Sequence, residues 1–248
     1  MAHRITVMWA VPRSMSTAFE RMMMERGDHV VFDEPFSRRY YYGPDKRSRR
    51  FAEVLPDSSA REVLTSLEAA AEAAPVFVKD MAYHVADLLD TGLLGRFRNS
   101  FLIRDPAATL RSLARRWPDF TDEESGWEAL GAAADAVERT GQPLVVVDAE
   151  ALCRDPAGVV AAWCAAMDLP FVPEALAWQP GMRREWELWA DWHGATAEAR
   201  GFRASGPAPA PPSDAEPRLR QAYERALPVY ARLRAHALPT TGGPERPR

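Results

Sequence analysis

One stretch constrains this 248-residue chain more than any other: residues 5–19, which read ITVMWAVPRSMSTAF. An apolar, β-prone run breaks at Pro12, presents Arg13, Ser14, Ser16 and Thr17, and passes into a helix-forming segment that runs to about residue 26. Strand, turn and helix in that order build an anion cradle. The free N–H groups of the helix's first turn point outward, the helix dipole adds partial positive charge, and hydroxyls and an arginine complete the cup. A phosphate or a sulfate is the expected guest. The turn contains no glycine and no lysine, so it is not the G-x-x-x-x-G-K-[ST] loop of nucleoside triphosphatases.

The formal charge of -4 and the pI near 5.8 argue against a general nucleic-acid or membrane-surface binder, because such proteins rely on a net positive field. The anion site is therefore local. No run approaches the roughly 20 apolar residues of a membrane span, and Pro12 and Arg13 interrupt the first apolar run before it could serve as a signal-peptide core. Cys153 and Cys164 match no metal or redox spacing, and Cys164 lies in an alanine-rich helical stretch that suits a buried thiol. These features together predict a cytoplasmic protein in a reducing setting.

Along the chain, strand patterns alternate with helix patterns. Residues 29–32 (HVVF) form a short strand that stops at Asp33-Glu34-Pro35, where carboxylates at a strand end face the ligand side of an open α/β sheet. Residues 36–51 carry Tyr40, Tyr41, Tyr42 and a basic cluster, and are expected as an exposed, mobile segment, with a lid over an anion as the sharper reading. A helix over 58–73 leads to a buried-strand pattern at 75–78, which ends in Lys79-Asp80, and 81–89 returns to helix with His84 near its start. The strand 100–103 ends in Arg104-Asp105-Pro106 and opens a helix over 107–117, in which Ser112 stands eight residues after Arg104. A long helix over 120–140, a fifth strand at 144–148 and a helix from Asp155-Pro156 to about 167 follow. Beyond 170 the alternation stops. Trp186, Trp189 and Trp192 recur every three residues, which reads as helix-to-core packing, with a pocket wall as the other reading. A proline-rich stretch from 205 and a last helix over 214–235, bent at Pro228, complete the chain.

P-R-S-M-S-T resembles the 5′-phosphosulfate loop of sulfotransferases that use 3′-phosphoadenosine 5′-phosphosulfate (PAPS), with Met15 standing where that family usually has glycine. Arg104 and Ser112 flanking Asp-Pro resemble the same family's 3′-phosphate site. Chemically they combine a planar charged fork with a short directional donor. The resemblance implies an α/β, three-layer P-loop-like fold with a central parallel sheet of about five strands flanked by helices, in agreement with the alternation. It is anchored in a core over 3–170 of one domain spanning 1–236, with a helical, aromatic-rich elaboration over 171–236 and a disordered tail over 237–248.

The implied reaction is in-line transfer of a sulfuryl group from PAPS to a hydroxyl, or less readily an amine, of a small-molecule acceptor, without a demand for a divalent metal. Arg13, Ser14, Ser16 and Thr17 would hold the phosphosulfate. Arg203 would stand in for the family's glycine-rich closing segment, which this chain lacks. Many family members place a histidine two residues after a strand-end lysine. Lys79 matches the lysine, but Met81 occupies the histidine's position. Some relatives use a glutamate after the second strand, so Glu34 is the expected base, with Lys79 assisting the bridging oxygen and His84 or Asp33 as second choices. Two other classes fit less well: a P-loop kinase or NTPase, and a non-catalytic nucleotide-binding module. The residues do not speak to oligomeric state.

Overall fold

The computed structural model describes residues 4–203, 206 and 209–240. In chain order these form β1 (Ile5–Ala10), α1 (Ser16–Arg26), β2 (Val30–Asp33), α2 (Pro35–Tyr42), α3 (Ala60–Ala73), β3 (Val76–Met81), β4 (Arg98–Ile103), α4 (Pro106–Arg116), α5 (Asp122–Ser125), α6 (Trp127–Arg139), β5 (Val146–Asp148), α7 (Ala149–Arg154), α8 (Pro156–Ala166), α9 (Ala190–Ala197) and α10 (Pro217–Ala235). The strands make one parallel sheet in the order β2-β3-β1-β4-β5, flanked by helices, as the alternation predicts. β1 lies at its centre, and Val7, Met8, Trp9 and Ala10 are fully buried. An apolar run of this kind belongs to a strand covered on both faces. Among the described residues no helix is long and apolar enough to cross a membrane.

Strand order places the chemistry. From β1 the chain moves to the β2 edge and returns through β3 beside β1, and then crosses to β4 on β1's other side. The loops leaving β1 and β4 therefore open side by side where the winding reverses, the crevice in which such sheets bind ligands. At β4 the exit is sharp. Pro106 occupies the first turn of α4, and the Asp105 carboxylate caps that helix by accepting from the Ala108 N–H at 2.9 Å.

Several expectations change. Residues 36–51 are not a loose lid: α2 takes up Pro35–Tyr42, and Tyr40 and Tyr41 are buried. The basic cluster pins the rest of this segment to the body of the protein. Lys46 Nζ donates to the carbonyls of Phe51, Ala52 and Glu53, and Arg50 pairs with Glu124 at 2.6 Å while lying 4.1 Å over the Trp117 ring. The helix expected over 120–140 is two helices, α5 and α6, broken at Gly126, which has φ 80. A side chain at Gly126 would also meet the Pro12 ring at 3.2 Å, so this glycine lets the corner approach the anion loop. Residues 82–91 wind as 3-10 rather than α-helix. Ala237 and Leu238, expected in the tail, extend the β5 edge through Val146, with Leu238 N donating to its carbonyl at 2.8 Å. The rest of the expected tail, from 241, lies outside the described residues.

Candidate active site at the carboxyl edge of the sheet

The turn after β1 forms its cup without glycine. Arg13 and Met15 both have left-handed backbones, with φ 66 and φ 76, on either side of Ser14. Two left-handed residues flanking one whose φ is not positive, just before the free N–H groups of the first turn of α1, form a nest-like turn suited to an anion. Such a conformation costs a non-glycine residue about 1–2 kcal/mol and persists where the surroundings enforce it. Met15 helps to do so, with its sulfur 3.3 Å from Cys153 Sγ. Met15→Gly is expected to retain the parent's stability within about 1 kcal/mol, because relieved strain offsets the lost side chain. Met15→Val, which is β-branched, is expected to lose about 1–3 kcal/mol. Chemical denaturation of the two variants checks the contrast.

Among the described residues no carboxylate is hydrogen-bonded to Arg13 or Arg104. Ser14 is fully buried, and its hydroxyl has no hydrogen-bond partner among the described residues. Among the described residues Arg13 donates to neutral oxygens, Ser112 Oγ at 3.0 Å and the Trp192 carbonyl at 3.3 Å. Arg104 donates to the Arg13 carbonyl at 3.0 Å and has Glu150 at 3.7 Å, while its Nε has no hydrogen-bond partner among the described residues. Burial, and then the charges of Arg104, Arg116 and Arg115, pull Arg13 below the ordinary guanidinium value. Like charges held this closely, beside an unused buried hydroxyl and a nest, are what an anion would stabilise. The residues present fit a phosphosulfate guest.

Beside the cup lies a carboxylate cage. Strand register sets Asp33 opposite Lys79, and the pleat turns Lys79 and Asp80 to opposite faces. Lys79, with no exposed surface, pairs with Asp33, with Glu34 Oε1 at 2.6 Å and with Glu20 at 3.5 Å. Burial alone would lower its pKa, but Asp33, Glu34 and Glu20 more than reverse this and hold it well above the ordinary lysine value. Burial, and then Asp33, push Glu20 well above the ordinary carboxylate range. Glu34 faces the cleft from another left-handed position, φ 45.

A cleft of about 320 Å³ joins these parts. Of the expected site residues, Arg13, Ser16, Thr17, Glu34, Arg104 and Arg203 line it. Ser112 does not, but its bond to Arg13 makes the two expected phosphate subsites adjoin. Lys79 is sealed in the cage and does not reach the cleft. His84 is removed further: it is fully buried, with Nδ1 2.6 Å from Asp80 Oδ1 on the opposite face from Lys79, among the rings of Tyr40, Tyr41 and Tyr83. Tyr41, Tyr83, Trp117, Trp189 and Trp192 form an apolar wall, so two of the three spaced tryptophans face the cleft, whereas Trp186 is core. Burial first, then nearby phenols and carboxylates, keep Tyr41 and Tyr83 protonated.

His193 also lines the cleft, and residue patterns give it no role. Its neighbours Asp33 and Thr17 are 160 and 176 residues away, so no local spacing signals it.

Comparison with known proteins bears on the family and the fold. A family described as a sulfotransferase domain matches residues 4–237. Two Arabidopsis thaliana proteins, branched-chain-amino-acid aminotransferase-like proteins 1 and 2, are 29% and 28% identical over 92% of this chain, which spans 41% of the length of each. The sulfotransferase domain from the Curacin biosynthetic pathway has the same fold, with a TM-score of 0.61 and 14% identity over 96% of this chain and 99% of that one. The sulfotransferase domain from the Synechococcus PCC 7002 olefin synthase also shares it, with a TM-score of 0.59 and 17% identity over 96% and 97%.

Proposed function

Because this chain belongs to the sulfotransferase domain family, we propose that it transfers a sulfuryl group from PAPS to the hydroxyl of a small molecule, an amine being the lesser alternative. The observation that carries the donor half is the cup itself: a nest-like turn with, among the described residues, a buried Ser14 hydroxyl without a partner and an Arg13 hydrogen-bonded to no carboxylate, at the adjoining ends of β1 and β4. Arg13, Ser14, Ser16 and Thr17 would hold the 5′-phosphosulfate, and Arg104 and Ser112 the 3′-phosphate. Arg203, at the rim, would close over the donor.

PAPS supplies an activated sulfuryl group on a phosphate leaving group. The chain's own task is to hold donor and acceptor in line and to neutralise the charge that collects on the departing oxygen. Arg13 is the group placed for the second task. The aromatic wall fits a partly apolar acceptor, and the acceptor's proton passes to a base on the cleft floor, where Glu34 and His193 both face the space.

Calorimetric titration with the donor product, 3′-phosphoadenosine 5′-phosphate (PAP), tests the reading. Saturable binding of PAP with little affinity for ADP plus Mg²⁺ is expected. Absence of PAP binding, or a preference for ADP with Mg²⁺, would replace it with a kinase-like one.

A further inference from the structure

His193 sits between two partners that fix the state of its ring. Nε2 lies 3.0 Å from Asp33 Oδ2, and Nδ1 lies 3.1 Å from Thr17 Oγ1. The imidazole is 3% exposed and rests against Trp186, with ring centroids 5.2 Å apart. Asp33 is a carboxylate, tied on its other oxygen to Lys79, and a carboxylate can only accept. The hydrogen-bond network therefore assigns the proton of the neutral ring to Nε2 and leaves the Nδ1 lone pair to accept from the Thr17 hydroxyl. A carboxylate that orients an imidazole, whose other nitrogen faces a hydroxyl at a cleft wall, is the arrangement by which proteins prepare a base.

On the reading of this cleft as a sulfuryl-transfer site, we propose that His193 is the base for the acceptor, oriented by Asp33 and held in reserve by Thr17 until the donor binds. Thr17 is in the first turn of α1, within the anion cup. The charged oxygens of a bound donor are stronger acceptors than an imidazole nitrogen, so they draw the Thr17 hydroxyl away and free Nδ1 toward the cleft. The acceptor oxygen then forms its bond to sulfur. The bond from sulfur to the bridging oxygen breaks, the electron pair leaves on the phosphate of PAP, and the acceptor's proton goes to Nδ1. Asp33 stabilises the resulting imidazolium. Glu34 is worse placed for this task, because Lys79 holds its Oε1 at 2.6 Å and a proton taken there would unbalance the buried ammonium.

The test combines a structural readout with a kinetic one. In protein labelled with ¹⁵N-histidine, the signals of His193 are identified by their loss in His193→Gln, which separates them from the other histidines. In mildly alkaline buffer the free protein is expected to show the Nε2-protonated tautomer, and PAP is expected to shift the Nδ1 signal as Thr17 leaves it. In the reverse reaction, transfer from an aryl sulfate to PAP, His193→Gln should bind PAP normally. It should lose about 100- to 10,000-fold with phenyl sulfate, whose leaving phenol needs a proton. With p-nitrophenyl sulfate, whose leaving group does not, it should lose little. An Nδ1-protonated ring in the free protein, or an equal loss on both sulfates, would overturn the assignment while leaving the donor site intact. Failure of the wild-type protein to bind PAP would instead remove the sulfuryl-transfer reading, and this proposal with it.

Discussion

Arg104→Ala is expected to weaken PAP binding by about 10- to 100-fold, the loss of one charge-assisted contact of about 1.5–3 kcal/mol, with little change in the stability of the unliganded protein. Both halves rest on the same geometry. The carboxylate beside Arg104, Glu150, stands 3.7 Å away without a hydrogen bond between them, and in the unliganded protein the Arg104 charge works against Arg13. Removing Arg104 relieves a repulsion but also deprives half-buried Glu150 of the cation 3.7 Å from it, so the two effects offset, and the Arg13 carbonyl that Arg104 serves is a neutral acceptor. Calorimetry with PAP and a thermal melt with and without PAP separate the two effects. The variant should melt close to the parent's temperature alone, and should lose most of the ligand-induced rise. A variant that melts well below the parent would show that Arg104 holds the fold rather than the guest. Because Arg104 and Arg13 share a hydrogen bond, the losses of Arg104→Ala and Arg13→Ala are expected not to add.

Lys79→Met is expected to be the most damaging single change for stability, costing about 3–5 kcal/mol out of a total of about 5–15 kcal/mol for a typical domain. Methionine fills similar space, so the loss is electrostatic: Asp33, with its carboxylate 1% exposed, and Glu34 lose the ammonium between them. The pH dependence should reverse. In the parent, burial would raise Asp33, but Lys79 and then His193 hold it below its ordinary 3.8. That contribution is present above 3.8 and is lost as pH falls through the lower folded value. Lys79 is raised above 10.5, so its contribution is present below 10.5 and is lost only as pH rises through the higher folded value. Glu20, raised above 4.5, works in the opposite sense to Asp33, since its stability is greatest below 4.5 and falls as pH rises toward its folded value. In Lys79→Met, Asp33 keeps its burial but loses the charge that held it down and joins Glu20 in that behaviour, so acidification from neutral pH should recover stability. Urea denaturation at neutral and mildly acidic pH measures it. A variant as stable as the parent at neutral pH would mean that the cage holds fewer ionised carboxylates than its geometry demands.

The periodic parts of the molecule are legible because they are written locally. The apolar run of β1, the Pro106 and Asp105 start of α4 and the strand-end positions of Glu34 and Arg104 each depend on residues within a few positions of one another, whereas Lys79, expected just past its strand, lies inside β3. The anion loop belongs with them, since P-R-S-M-S-T carries hydroxyls and an arginine at a strand-to-helix turn. What that loop does with its backbone is not legible, because nothing in the residue type of Met15 announces a left-handed φ. The aromatic and basic segment over 36–51 misleads for the opposite reason. Its charge suggests exposure, yet Lys46 spends its charge on backbone carbonyls and Arg50 on buried Glu124.

By itself, then, the sequence determined a parallel α/β sheet with a turn bearing an arginine and hydroxyls at the end of its first strand and an arginine at the end of its fourth. Tertiary structure decided which groups meet across that edge. Inserting β3 between β2 and β1 buries Lys79 against Asp33, Glu34 and Glu20, and packing α9 over α1 carries His193 to Thr17 and Asp33. Such meetings arise from strand order and long-range packing, which join residues 45 to 176 positions apart, and no local period records them.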